Sequence, residues 1–567
     1  MTQEAKTLLD VLEKSCGLYP DKPALSFVED EPVTYARLSG EVDQLRSFLS
    51  GHGVSPGDRV ALLGENMPNW GTAFLGIVCM GAVAVPILPD FHAGAIAHIL
   101  RHSGAKAVFV SEHLYPKLEE ADLDGLQVVL LDDFSVVPAR TVREKFTEAL
   151  HMGRKELGRV WDAARKLTGR KDIEPCEEDL AAIIYTSGTT GHSKGVMLTH
   201  RNLVFEARTA AEVVGATHEE RFLSILPLAH TYECSLGLLT PIMLGATVYY
   251  LRGRPTPRIL LPAMPKVRPT VILSVPLVIE KIFKGRILPQ MNRNKLTRGM
   301  YKVPFLRKKA HRLAGKRLLS SFGGELRIFC IGGAGIARDA ELFLHEAGFP
   351  YSVGYGLTET APLVAGTSPA KMKFRSTGPA LPGVQIKIKD PDSRTGVGEV
   401  LVKGPNVMQG YYKAPRITED SFENGWFLTG DLGRMDKNGY LYIKGRSKNV
   451  ILGPSGENIY PEEIESTINE YDYVYESLVY KQDGRLTARV YLNSEYIDQE
   501  LNWGDLQESE YRSNVEQLLE NLRGEVNQKV PAFARLARII EQAEPFEKTP
   551  TQKIKRYLYV DSGSNPA

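Results

Sequence analysis

The chain has little cysteine. Its five cysteines, Cys16, Cys79, Cys176, Cys234 and Cys330, are scattered over 567 positions without a C-x-x-C pair. An odd, dispersed set excludes a disulfide framework and a structural zinc site, and leads us to expect a reduced, cytoplasmic protein. Long apolar runs are also missing. The longest, Phe74 to Leu88, is about fifteen residues interrupted by Gly76, Gly81 and Pro86, whereas a bilayer span needs about twenty. It reads as a buried helix followed by a strand. The first residues, MTQEAKTLLDVLEKSCG, have the mixed charge of a helix and lack the basic flank and apolar stretch of a secretory signal. Neither charge sign dominates, with 69 basic against 68 acidic residues, so nothing global argues for a nucleic-acid partner. There is no internal repeat, and no low-complexity tract beyond the polar tail DSGSNPA.

What is present is an ordinary globular composition, 43% hydrophobic and 24% charged, in a chain too long for one compact core. From Val33 to Val110, helical periods such as ARLSGEVDQLRSFLS alternate with β-rich runs such as RVALLG, VAVPIL and AVFV. That alternation predicts parallel strands with crossover helices. Residues 142–170 read as a long amphipathic helix with a solvated basic face. From Leu180 the alternation resumes through LAAIIY, RFLSILPLA, ATVYYL, TVILSV and LRIFCIGG. Past Thr377 the texture changes to short β segments separated by Gly, Pro and Asp (GVQIKIKD, GEVLVKG, GYLYIKG), which predicts antiparallel structure. The last part has its own elements: a helix at PEEIESTINE, a hairpin turning at Asp483-Gly484, and a helix from about Glu508 to Gln528. The expected division is 1–446, a hinge at 447–449, and a mobile small α+β domain over 450–567.

The strongest chemical signal is Tyr185 to Gly195, YTSGTTGHSKG, directly after the apolar strand LAAIIY. Glycines let backbone N–H groups converge on an anion, hydroxyls add donors, and a lysine adds charge. Thr186, Ser187, Gly188, Thr189, Thr190, Gly191 and Lys194 would thus form a phosphate cradle. It is not a Walker A loop, because G-x-x-x-x-G-K-[ST] is absent and the following GVMLTH reads as strand. A flexible surface loop would not need a lysine and five hydroxyl residues within nine positions.

This run resembles the signature of the adenylate-forming superfamily, which includes acyl-CoA synthetases, luciferases and peptide-synthetase adenylation domains. Ser193 stands where the family usually has proline. Further motifs extend the resemblance over nearly the whole chain. In Gly354 to Thr360, GYGLTET, an aromatic ring can stack on adenine, a threonine hydroxyl can reach phosphate and a glutamate can hold a hard divalent cation. The family's roles carry to Tyr355, Gly356, Thr358 and Glu359, with Glu359 as the metal ligand. Gly332, Gly333 and Ala334 resemble the segment lining the adenine pocket. Asp431, in Thr429-Gly-Asp431, and Arg446 resemble the family's ribose-binding pair; a carboxylate can grip two hydroxyls and an arginine can bridge ribose and phosphate. Read without the family, Asp431 looks like a turn residue.

Lys448 matches the family's hinge, and SGENIYPEEIE resembles the segment lining the thiol tunnel, with Gly456 admitting the pantetheine arm. The segment TPTQKIKR, residues 549–556, resembles the family's final motif and puts the catalytic lysine on Lys553, with Lys555 as the fallback because Gln552 replaces the usual glycine. Residues 227–234, PLAHTYEC, resemble the segment that closes the carboxylate site, placing His230 near the acyl carbonyl, although a packing histidine is an equal reading. Glu233 could mark an ammonium-binding site, as in amino-acid-activating relatives, or could be neutral on substrate.

The resemblance implies an α/β fold, with parallel α/β subdomains and a small antiparallel β-barrel-like part ahead of the small carboxy-terminal domain. It also implies ATP, Mg²⁺ and coenzyme A as co-substrates, and a small-molecule carboxylate substrate activated as its acyl-AMP. The wording of SGENIYPEEIE and the extra basic segments resemble long-chain fatty acyl-CoA ligases. Transfer to an acyl-carrier protein, or a silent lipid-surface scaffold, are the alternatives. The basic segment 281–317 is a solvated surface, a contact for the phosphates of a ligand, or a peripheral contact with anionic lipid at the inner face of a membrane.

Overall fold

The computed structural model describes residues 5–137, 174–187, 193–292, 299, 301, 303–453, 457–501, 503, 506–549 and 553–560. The helix expected over 142–170, Lys302 and the polar tail lie outside the described residues.

The alternation after Val33 becomes three parallel strands, Arg59–Leu63, Val83–Ile87 and Ala107–Val110, joined through the helices Pro68–Cys79 and Ala93–Ser103. The helix Pro68–Cys79 is apolar on nearly every side, and such a helix has to lie inside. Trp70, Phe74 and Ile77 are fully buried in the largest core. Leu180–Ser187 joins this eight-stranded sheet parallel to Val83–Ile87 and turns back antiparallel into Ser193–Thr199. The helix His200–Val214 follows, started by a capping box between Thr199 and Asn202.

A second sheet of seven strands runs Tyr351–Val353, Ile328–Ile331, Val271–Ser274, Arg221–Ser224, Thr247–Tyr250, Pro23–Phe27 and Val33–Thr34, parallel except for the last. Because Ser274, Ile331 and Val353 are register partners, the loops that follow them leave from one edge. Ligands of open α/β sheets bind at such carboxyl ends.

The Gly-, Pro- and Asp-punctuated region forms the expected antiparallel sheet. Gln385–Lys389, Gly398–Lys403, Trp426–Met435 and Leu441–Arg446 pair in succession, with Phe422–Glu423 on the flank. From Ile459 onward the chain buries a core of its own. There the hairpin Val474–Gln482 and Arg485–Leu492 turns at Asp483 and Gly484, both at positive φ, and the helix Glu508–Lys529 packs on it with the strand Arg538–Glu541.

Candidate active site

The loops at the carboxyl edge of the second sheet, the Leu180–Thr199 hairpin, the Trp426–Arg446 hairpin and the segment around Lys553 enclose one cleft of about 2420 Å³. The expected site residues Thr186, Lys194, His230, Gly332, Gly333, Ala334, Tyr355, Gly356, Thr358, Glu359, Asp431, Arg446, Lys448 and Lys553 all line it. Ser187 ends the strand Leu180–Ser187. Gly188, Thr189, Thr190, Gly191 and Gly456 lie outside the described residues.

Thr186 faces Lys194 across the hairpin. Lys194 Nζ lies 5.1 Å from the centre of the Tyr411 ring, and the Tyr411 hydroxyl donates to Glu359 Oε1 at 2.9 Å. Tyr411 therefore ties Lys194 to Glu359, a link that nothing in the wording GYYK signals. Glu359 stands on the single turn Thr358–Thr360, which connects the two strands of the short antiparallel ladder of Tyr355–Gly356 with Leu363–Ala365. A Cβ on Gly356 would fall 1.8 Å from the Pro362 carbonyl oxygen, so only glycine lets the two strands come this close.

Asp431 is not a turn residue, as its local sequence suggests. It sits mid-strand with Arg446 directly opposite, and only 5% of it is exposed. Its carboxylate accepts from the Tyr355 hydroxyl at 2.6 Å and pairs with Arg446 Nε at 2.7 Å. Burial raises its pKa, opposed by the charge of Arg446, the Tyr355 hydrogen bond and Lys553.

Lys553 faces Asp431, Glu359 and Arg446, whereas Lys555 pairs at 3.2 Å with Glu547. The rim of the cleft leaves part of the Lys553 chain open to water, but many atoms surround it. Lost hydration and the repulsion of Arg446 lower its pKa, against the pull of Asp431 and Glu359. His230 accepts from the Tyr232 backbone N–H at Nδ1, 3.2 Å away, which puts the ring proton on Nε2. Burial and the Lys553 ammonium push its pKa down to about 4, so the imidazole is neutral.

Glu233 lies behind the wall of the cleft, 1% exposed, at the start of the π-helix Glu233–Leu239. Ser224 Oγ donates to it at 2.5 Å, and burial pushes its carboxyl up to about 8. It is not placed to meet a substrate ammonium. The cleft instead continues as an apolar branch between the helix His200–Val214, the π-helix and the second sheet, lined by Ala210, Val213, Leu236, Leu273 and Cys330. Sequence reading missed this branch, since apolar residues that line a channel and apolar residues that fill a core give the same pattern.

Among the described residues no group of three or more His, Cys, Asp or Glu could hold a metal by itself. A lone Glu359 lining the same cleft as Thr186 and Lys194 fits Mg²⁺, which takes one or two carboxylates plus phosphate oxygens and water.

The AMP-binding enzyme family model matches residues 12–412. The chain is 30% identical to the long-chain-fatty-acid–CoA ligase of Escherichia coli O6:H1, covering 83% of this chain and 82% of that one. It is 27% identical to the chloroplastic long-chain-fatty-acid–acyl-carrier-protein ligase AEE15 of Arabidopsis thaliana, over 99% and 86% of the two chains. The structure of ATP-bound MatB from Rhodopseudomonas palustris superposes with a TM-score of 0.73 over 98% of each chain at 24% identity, a likeness of fold.

Proposed function

This chain belongs to the AMP-binding enzyme family, and on that premise we propose that it couples a long-chain fatty acid to coenzyme A through an acyl-AMP intermediate, releasing pyrophosphate and AMP. It is an AMP-forming acid–thiol ligase. The observation that carries the acyl part is the apolar branch of the cleft, which shares one cavity with His230, Lys553, Glu359 and Asp431. A buried methylene contributes about 0.8 kcal/mol, so such a branch favours a long alkyl tail over a small acid.

In the first half-reaction, the carboxylate oxygen attacks the α-phosphorus of ATP and pyrophosphate departs. Thr186, Lys194 and the loop between them hold the phosphates, Asp431 and Arg446 hold the ribose, and the segment Gly332–Ala334 with Tyr355 borders the adenine. Lys553 stabilises charge on the reacting phosphate, and neutral His230 presents Nε2–H toward the acyl carboxylate without adding charge. Positioning and charge stabilisation carry phosphoryl-transfer rates of this kind. Mg²⁺ held at Glu359 would neutralise phosphate charge. In the second half-reaction the part of the chain after Lys448 turns, withdraws Lys553 and brings the segment around Gly456 to the site, so that the thiol attacks the acyl carbonyl and AMP leaves. The separate core from Ile459 onward and the single turn Ser447–Asn449 between the two parts support a hinge there, dividing 1–446 from 450–567.

The test is a carboxylate panel assayed for pyrophosphate release with ATP and Mg²⁺, with coenzyme A, acyl-carrier protein or no acceptor. Formation of ADP, or preference for acetate over hexadecanoate, overturns the reading, and thioester on the carrier protein alone selects the second ligase class. A silent scaffold loses support because Lys553, Glu359 and Asp431 are present and line one cleft.

No described helix is long and apolar enough to cross a membrane. Within the basic segment, the helix Pro304–Ser321 contains no acidic residue and exposes Phe305, Lys308, Lys309, Arg312, Leu313, Lys316 and Arg317 along one face. Two exposed hydrophobes among cations support a peripheral contact with anionic lipid at the cytoplasmic face. Flotation with phosphatidylglycerol vesicles but not phosphatidylcholine vesicles, abolished by F305S/L313S, is the expected result. Equal binding to both lipids, or to neither, refutes it.

A further inference from the structure

The helix Pro461–Ile468 is gripped at both ends by residues from earlier in the chain. At its start Glu462 accepts from Asn449 Nδ2 at 2.6 Å, and Glu463 pairs with Lys444 at 2.6 Å. At its end the backbone oxygen of Asn469, the capping residue, accepts from Nζ of Lys284. The last carbonyls of a helix lack intrahelical partners and carry the negative end of its dipole, so an ammonium is well matched there.

Lys284 stands on the π-turn Phe283–Ile287, which continues the helix Pro276–Ile282. Asp472 and Glu470 from one side, and Glu280 and Asp339 from the other, all act on its charge; burial lowers its pKa and these carboxylates oppose that. Beside it, Lys281 Nζ lies 5.6 Å from the centre of the Tyr475 ring. Glu280 also accepts from the Ala337 backbone N–H at 2.7 Å, just beyond the loop that borders the nucleotide site.

The gripped helix in turn carries the tether of Lys553. Glu465, in its middle, accepts from Arg556 Nη2 at 2.5 Å and from the Val479 backbone N–H at 2.6 Å. Arg556 lies in the same short segment as Lys553. A continuous set of contacts therefore runs from Lys284 through the helix to Glu465, Arg556 and the lysine in the cleft.

We propose that Lys284 is a positioning residue that clamps the end of the helix Pro461–Ile468, fixing the orientation in which Lys553 enters the cleft, and that it releases the helix when the carboxy-terminal part turns to admit the thiol. The inference rests on the two-step reading above. It gives the start of the basic segment 281–317 a task distinct from that of its solvent-facing helix: Lys281 and Lys284 face the carboxy-terminal part.

The test measures both half-reactions in Lys284→Met, which keeps the apolar stem, and in Lys284→Arg, which keeps the charge. An ion at a partly buried helix end is worth up to about 2 kcal/mol, roughly thirtyfold in the population it supports. Acid-dependent pyrophosphate exchange should fall about ten- to thirtyfold in K284M, while thioester formation from supplied acyl-AMP and coenzyme A stays within about twofold of the unmodified protein, well inside the tenfold that 1.4 kcal/mol represents. K284R should recover most of the exchange. Equal losses in both half-reactions, or none, overturn the proposal.

A second measurement needs no variant. Amine labelling of the unmodified protein, read by mass spectrometry, should find Lys284 protected with hexadecanoate and a non-hydrolysable ATP analogue, and labelled several-fold faster with a non-hydrolysable acyl-AMP analogue and coenzyme A. Unchanged labelling overturns the clamp even if K284M fails to fold. Absence of acid-dependent exchange in the unmodified protein would instead refute the ligase reading itself.

Discussion

Lys553→Ala removes a cation that the carboxy-terminal part brings toward Asp431 and Glu359. In the structure this ammonium stands at the rim of the cleft, crowded by neighbouring atoms and repelled by Arg446, with Asp431 and Glu359 pulling the other way. A preorganised donor in such a setting is worth about 2.7–4 kcal/mol at the transition state, roughly 10²–10³ in rate. Lys555 cannot replace it without leaving Glu547. Adenylate formation, followed as acid-dependent pyrophosphate exchange, should therefore fall by that factor. Thioester formation from supplied acyl-AMP should be spared, because Lys553 has left the site by then. The lowered pKa adds a pH signature: deprotonation removes the cation, so exchange should decline at a pH below the ordinary lysine range, and Lys553→Arg should flatten that decline. Equal losses in both half-reactions, or the same loss in Lys555→Ala, would refute the assignment.

Three further outcomes follow from the same geometry. Ala210→Trp, in the cluster with Tyr232, Leu236 and Leu273, should obstruct the apolar branch; if it excludes three methylenes, kcat/KM for hexadecanoate should fall roughly fiftyfold while octanoate is spared, and equal losses would mean that the tail lies elsewhere. Lys448→Pro should stiffen the turn Ser447–Asn449 and slow thioester formation more than adenylation, measured step by step; a uniform effect would remove Lys448 from the hinge. Glu233 keeps a proton in the folded state between the ordinary 4.5 and about 8, whereas the unfolded chain has lost it, so stability should drop as pH rises through that window. Glu233→Gln should flatten the drop, by at most roughly 4–5 kcal/mol, in denaturant melts at the two ends of the window; an unchanged slope would mean that the carboxyl is ionised in the fold.

The residues proposed for the nucleotide side of the site stood out in the sequence because their pattern is local. The glycines and hydroxyls from Thr186 to Lys194, and Tyr355 to Glu359, are contiguous, since a turn that wraps a phosphate or follows a strand is built from neighbours in sequence. Asp431 was legible only through resemblance: a Thr-Gly-Asp tripeptide looks like a turn, and only the pairing with Arg446 across a hairpin makes it a buried, oriented carboxylate. His230 had two equal readings until the Tyr232 N–H at Nδ1 and its place on the cleft wall put it beside Lys553 as a neutral ring.

The sequence by itself determined the order of the α/β elements, the change to antiparallel structure past Thr377 and the strand that leads into the glycine-and-hydroxyl run after Tyr185. Each of these depends on periodicity or on residues a few positions apart. Only the tertiary structure decided that Glu233 is a core acid, that Tyr411 joins Lys194 to Glu359, that apolar side chains of distant segments line one cleft with His230, and that Lys284 caps a helix 185 residues later. These depend on which side of a wall a side chain faces and on which distant carbonyl lacks a partner, and both are set by packing between segments far apart in the chain.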